Sequence, residues 1–236
     1  ASLDQALRAV LAAELAFALL LSVVRKVPAA DRSMKAGEWD RTSFSGTELY
    51  RKTLGLIGAG RVGGEVAQRA RAFGMRVLAY DPFLSEDAAR EMGAELAPLD
   101  RVLREADVLS LHVPLTDKTR GLLGDAQLAL LKPTAVIVNA ARGGVLDEAA
   151  LLARLRDGKL AGAALDVFDQ EPLPPDHPLR SRPNVVLTPH LGASTEEAQL
   201  NVAIEIAESV KAALLEGDYS RAVNAALVGG ERLRRL

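Results

Sequence analysis

Two short runs in the middle of the chain, VLSLHV at 108–113 and TAVIVN at 134–139, are apolar almost throughout and do not alternate with polar residues. Runs of this kind suit strands buried on both faces, which parallel sheets provide because their crossovers lay helices on either side. Similar β-rich runs fall at Thr53–Ile57, Arg76–Tyr80, Asp107–Leu111, Thr134–Asn139, Ala161–Val167 and Asn184–Thr188, with a weaker one near Glu95. Helical spacing fills the intervals at Arg61–Phe73, Glu86–Met92, Leu99–Glu105, Asp125–Leu130 and Asp147–Asp157, and Ser194–Leu215 closes the series. Strand and helix in regular alternation predict an α/β fold with a doubly wound parallel sheet.

A long helix precedes the alternation. Leu7, Val10, Leu11, Leu15 and Leu19 recur at helical spacing from Leu3 to Val27, where Val27-Pro28 is expected to end the helix. The apolar stretch Leu15–Val24 lies between Glu14 and Arg25, about half the twenty residues that a membrane span needs. It is therefore read as a buried helix with no membrane partner. Mixed charges before it, with no small-residue cleavage site after it, speak against a signal peptide and leave the cytoplasm as the default location. Near the other end, Gln170 to Pro183 carries Pro172, Pro174, Pro175, Pro178 and Pro183. That density is expected to exclude regular structure and to give a stiff loop of functional kind.

Composition narrows the chemistry. Lys and Arg number 29 against 31 Asp and Glu, for a net charge of −2 over 236 residues, so no nucleic-acid partner is expected. The cysteine count of 0 excludes disulfides, thiolate zinc sites, iron–sulfur clusters and a Cys nucleophile within this sequence. No metal site is expected.

Gly58-Ala59-Gly60-Arg61-Val62-Gly63 follows the strand Thr53–Ile57 and opens the helix at Arg61. In such a turn Gly58 permits the tight bend, Gly60 lets backbone approach a pyrophosphate, and Gly63 lets helix and strand pack closely. Asp81 ends the second strand about 20 residues further on, where an acid binds the ribose hydroxyls of NAD and disfavours a 2′-phosphate. Asp81-Pro82 is also a good turn or helix-start pair. Strand, glycines, helix and acid in register favour a Rossmann-type NAD site.

There are 3 histidines. His112 and His190 end predicted strands, and His177 lies within the proline loop. Ligands of open α/β sheets bind outside the carboxyl ends of the strands, so His112 and His190 share that edge with Arg142, Asp166 and Glu171. An arginine that pairs with a carboxylate, a histidine that takes a hydroxyl proton and an acid that orients it would together serve hydride transfer from an α-hydroxy acid. From spacing alone, His190 is equally readable as a satisfied structural group, Arg142 as a loop cation and Glu171-Pro172 as a turn.

Several runs occur together and in order: GTELYRKTLGLIGAGRVG, AFGMRVLAYDP, VNAARGGVLDEAAL, AGAALDVFDQEP and LTPHLGASTEEAQ. From about Ala12 to Asn224 the chain resembles the NAD-binding domain of the D-2-hydroxyacid dehydrogenases, most of all the members that oxidise 3-phosphoglycerate in the first step of serine synthesis. The resemblance implies that Arg142 binds the substrate carboxylate and carbonyl, Glu171 is the acid and His190 transfers the proton. It places Arg61 and Val62 at the cofactor phosphates and Asp81 at the ribose. Val113, Ala140 and Arg142 line the pocket, with Pro114 and Ala141 beside them. Asp166 meets the nicotinamide carboxamide, and His190, Gly192 and Ala193 close the nicotinamide side. His112 enters chiefly through its backbone, and His177 is expected to be a solvent-exposed loop residue.

In that family a separate substrate domain completes the cleft, and this sequence begins near the hinge. The expectation is a single NAD-binding domain over 1–236, with a helical arm at 1–50, a Rossmann core at 51–193 and a closing helix and tail at 194–236. The resemblance further implies a homodimer formed through the long helix and the segment around Trp39. The alternative for the helix is to cover one face of its own sheet. Weak turnover is expected with NADH bound. The competing readings of function are a non-catalytic NAD(H)-binding and dimerisation module, and a glyoxylate or hydroxypyruvate reductase acting on another small 2-keto acid.

Overall fold

The structure is a computed structural model that describes residues 3–222. The chain divides into two compact units, residues 1–192 and 193–236. The first holds seven parallel strands: β1 (Thr53–Ile57), β2 (Arg76–Tyr80), β3 (Glu95–Leu96), β4 (Val108–Leu111), β5 (Val136–Asn139), β6 (Gly162–Leu165) and β7 (Val185–Leu187). Their spatial order is β3-β2-β1-β4-β5-β6-β7. Every pairing is parallel, so all strands end at one edge, and the order reverses between β1 and β4. The sheet is the doubly wound parallel sheet that the alternation predicts.

The helices of this unit are α1 (Leu3–Val24), α2 (Val27–Lys35), α3 (Arg61–Ala72), α4 (Glu86–Glu91), α5 (Leu99–Glu105), α6 (Asp125–Leu128) and α7 (Glu148–Arg156). Strand residues pointing one way, including Ile57, Leu109, Leu111, Ile137 and Leu165, pack with Val102 and Leu103 of α5 and Leu151 and Leu155 of α7. Those pointing the other way, including Leu54, Leu56, Val136 and Val138, pack with Val66 and Ala70 of α3 and with α1. The two buried faces explain the near-continuous apolar runs in β4 and β5.

Two boundaries differ from the sequence reading. The N-terminal segment is two helices, because Lys26 adopts a left-handed φ of 54°, and Pro28 lies in the first turn of α2. Proline does not simply end the run; its fixed φ and missing N–H suit the start of the next helix. The proline loop also contains a 3₁₀ turn at Pro178–Ser181, with Leu179 buried beneath it, again with proline at an N-terminal position. By length and composition, Ala6–Val24 could cross a membrane, a longer stretch than Leu15–Val24. Here its Ala13, Ala16, Leu19, Leu20 and Val24 lie against the sheet, and Phe17 meets Phe73 with ring centroids 5.4 Å apart.

The second unit contains α8 (Glu196–Glu216), capped by Thr195 Oγ1, which accepts from Ala198 N–H at 3.1 Å, and ended by Gly217 in the left-handed region. Leu200, Ile204, Val210 and Leu214 on this helix are exposed.

Candidate active site

Parallel strands bring Gly58, Asp81, His112, Ala140, Asp166 and Thr188 to the same edge, each just past a strand end. At the reversal point, Gly58 turns at a φ of +89°. A Cβ there would lie 2.8 Å from Val113 Cγ1 and 2.9 Å from the His112 carbonyl, so only glycine admits both the turn and the close approach. The backbone of Gly63 presses on the Gly58 carbonyl, whereas a Cβ on Gly60 would meet nothing within 4 Å. Gly60 also caps α3 without a side-chain partner. The open ground above Gly60, at a helix N-terminus with free amides, fits the pyrophosphate of a dinucleotide. Arg61 is exposed and Val62 half-buried at that helix start.

Asp81 performs two backbone tasks. Its Oδ2 accepts from the Ala59 N–H at 2.9 Å and its Oδ1 from the Phe83 N–H at 2.9 Å. The second bond is the local turn that Asp81-Pro82 suggests, and the first ties the end of β2 to the glycine turn. A carboxylate retains acceptor capacity beyond two bonds, so Asp81 fits a ribose diol as well.

His112 extends the sheet, its N–H donating to the Ile57 carbonyl at 2.8 Å. Its Nε2 lies 2.8 Å from Ser110 Oγ. The residue keeps some accessible surface while its ring lies deep, and burial pushes the imidazole down to about 4. Val113 is half-buried and Pro114 exposed beside it.

The acid and base meet directly. Glu171 Oε2 lies 2.7 Å from His190 Nδ1, and Glu171 Oε1 accepts from the Phe168 N–H at 3.0 Å. Burial acts to raise the Glu171 pKa, but the hydrogen bonds from His190 and Phe168 and the charges of His190 and Arg142 outweigh it and hold the carboxyl below its usual range. An ionised Glu171 can only accept, so Nδ1 carries the hydrogen and Nε2 is left to face a substrate oxygen. The two side chains are 36% and 50% exposed respectively. His190 holds a φ of 56°, a strained conformation for a non-glycine residue.

Asp166 supports that strained turn. Although fully buried, it is satisfied: Oδ1 accepts from Thr188 Oγ1 at 2.6 Å and Leu191 N–H at 2.7 Å, and Oδ2 from Gly192 N–H at 3.0 Å. Its carbonyl accepts from the His190 N–H at 2.9 Å. The structure therefore gives Asp166 a direct role in shaping the His190 loop. Arg142 is exposed on a turn built by Asn139, whose Nδ2 donates to the Arg142 carbonyl at 3.0 Å and whose Oδ1 accepts from the Ala141 N–H at 3.1 Å. Ala140 and Ala141 are half-buried within it. Ala193 begins the second unit.

His177 departs from expectation. It is not a free loop residue: its Nε2 lies 3.4 Å from Glu148 Oε2, with the two side chains 23% and 12% exposed. Sequence reasoning also passed over Ser110, Asn139, Asp169 and Thr188. An Asn closing an apolar strand before a small-residue turn is a readable signal for Asn139; the others depend on contacts far apart in sequence. A cavity of about 860 Å³ lies among α1, α2, residues 43–49 and the strand beginnings and runs along β7 to Thr188; it takes in neither Glu171 nor His190.

The family described as D-isomer specific 2-hydroxyacid dehydrogenase, NAD binding domain, matches residues 17–192. The chain belongs to this family and is an NAD-binding domain. It is 48% identical over 225 residues to a D-3-phosphoglycerate dehydrogenase of Methanocaldococcus jannaschii, covering 95% of this chain and 43% of that protein. Among solved structures it is similar to a D-lactate dehydrogenase from Aquifex aeolicus complexed with NAD and lactic acid, with 34% identity, a TM-score of 0.80 and coverage of 93% and 70%. A glyoxylate reductase from Paecilomyes thermophila gives 35% identity, a TM-score of 0.80 and coverage of 89% and 64%. The chain thus spans less than half the length of the Methanocaldococcus relative.

Proposed function

We propose that this domain serves the NAD-dependent oxidation of a D-2-hydroxy acid, with 3-phosphoglycerate the substrate and 3-phosphohydroxypyruvate the product, as the name of the 48% identical relative suggests. The observation that carries the reading is the 2.7 Å pairing of Glu171 with His190 at the strand-end edge that also presents the glycine turn and Arg142. Arg142 holds the substrate carboxylate and carbonyl oxygen. His190 Nε2 takes the hydroxyl proton as the C–H bond breaks, and returns it to the carbonyl oxygen in the reverse direction. Bound NAD supplies the acceptor for the hydride. Gly60, Arg61 and Val62 would hold its phosphates on the turn that Gly58 and Gly63 shape, and Asp81 would hold its ribose. His112, Val113, Pro114, Ala140 and Ala141 would line its pocket, with Gly192 on the nicotinamide side and Asp166 behind it, bracing the His190 turn.

Arg142 is exposed and His190 and Glu171 are partly so, so the described residues leave the reacting groups open to solvent. Positioning contributes up to several kcal/mol of rate in favourable cases, and this chain is expected to bind NADH and turn over weakly. Titration with NADH, coupled to rate assays with 3-phosphohydroxypyruvate and with glyoxylate, tests the reading. Reduction of the phosphorylated ketone supports it, whereas reduction of glyoxylate alone favours the rival named by the 35% identical structure. NADH binding without turnover of either leaves a binding module. Asp81 further predicts tighter NADH than NADPH binding, and the reverse order would overturn that assignment. We also infer a homodimer in the cytoplasm, formed through the arm at 1–50. The support is that Trp39, 79% exposed, projects from the segment after α2, next to exposed Val27 and Met34 of α2 itself.

A further inference from the structure

A second Glu–His pair links the loop that carries Arg142 to the loop that carries Glu171. Glu148 opens α7, and its Oε1 accepts from the Asp169 N–H at 2.7 Å. Asp169 Oδ1 in turn accepts from the Gly144 N–H at 2.6 Å. Gly144 stands two residues beyond Arg142, and Asp169 stands two residues before Glu171. The other Glu148 oxygen faces His177 Nε2 at 3.4 Å, and His177 Nδ1 accepts from the Leu179 N–H at 3.4 Å. That bond leaves the hydrogen on Nε2, the ring nitrogen that lies near Glu148. One chain of contacts thus runs from the proline loop through the start of α7 to the arginine turn and the segment leading to the acid.

The two loops leave the adjacent strands β5 and β6 and touch again at Gly143, whose missing side chain lets the Phe168 carbonyl come close. Backbone contact alone leaves the loops free to slide. The Asp169 amide and carboxylate supply a polar latch at the same place. The Asp169 N–H holds one Glu148 oxygen at 2.7 Å, and His177, facing the other oxygen, limits the rotamers open to that carboxylate. The Glu148–His177 pair is shielded while Arg142 is exposed and His190 half-exposed, the order expected of a rigid support beneath a working surface.

We propose that Glu148 and His177 are positioning residues: through Asp169 they fix the Arg142 turn relative to the Glu171–His190 pair, and so set how a 2-keto acid is held. The proposal rests on the reading of Arg142, Glu171 and His190 as the reacting set.

The test uses the whole chain carrying His177→Ala, Glu148→Ala or His177→Gln, with NADH and glyoxylate as probes. The amide of Gln carries an N–H that can face Glu148 in place of Nε2–H. Expected for both alanine variants are Gly144 and Asp169 amide exchange about tenfold faster or more, and a KM for glyoxylate raised about fivefold or more with NADH affinity within about twofold of the parent. His177→Gln restores most of both effects. Unchanged Gly144 exchange overturns the proposal. So does a fall in Tm and NADH affinity together that Gln fails to rescue, since it marks a merely structural pair. If the parent chain binds NADH without turning over glyoxylate, amide exchange and its rescue decide the matter. A parent that binds no NADH defeats the functional reading and leaves the exchange result to judge the latch.

Discussion

At the scale of single residues, burial of a titratable ring sets the acid stability of the domain. His112 is pushed from 6.5 to about 4, so between those values the unfolded chain binds a proton that the folded chain refuses. Stability from this group is whole above pH 6.5 and falls as pH drops towards 4, by roughly 3 kcal/mol across the window. Urea unfolding over that range should show the loss in the parent and a flatter profile in His112→Gln; equal slopes would contradict it. Glu171 acts lower down. Its carboxyl is held below the usual range, so its contribution is present above the ordinary carboxylate pKa and is lost as pH falls through the depressed value. Gly143→Ala would drive a methyl group into the Phe168 carbonyl. It should lower stability by about 1–3 kcal/mol, measurable by urea unfolding, and an unchanged midpoint would refute the contact.

At the scale of elements, α1 answers much of its own hydrophobicity. Its inner stripe packs on β5, β6 and α3, so the sheet beneath covers 39% of the apolar stretch Ala6–Val24. Leu20→Ala, in the buried stripe, should cost roughly 2–5 kcal/mol, while Leu7→Ala, at an exposed position, should stay within about 0.5 kcal/mol. Comparable losses at both positions would mean that the helix packs on a second surface. The proline loop behaves similarly. Arg180 donates to the Leu173 and Pro174 carbonyls at 2.6 and 2.8 Å, so the loop carrying Glu171 is stapled from within as well as stiffened by its prolines.

At the scale of the whole molecule, the dimer inference now rests on the exposed segment around Trp39 more than on α1. Light scattering at micromolar concentration should give a mass above 25.1 kDa that returns to it in Trp39→Ala. A parent at 25.1 kDa would overturn the inference. The same scale explains why the site is distributed: seven parallel strands end at one edge, so groups from positions 58 to 190 converge there without any local sequence relation.

The sequence by itself determined the strand and helix periods, the glycine turn and the place of each candidate group at a strand end. Those depend on local periodicity and on backbone geometry that few residue types can adopt. Only the tertiary structure decided that Asp166 braces the His190 turn, that α1 lies on its own sheet, and that His177 is tied to Glu148 instead of standing in solvent. Each of these is a contact between side chains or amides separated by many residues, and the energy of such a contact depends on distance and burial that no local pattern encodes.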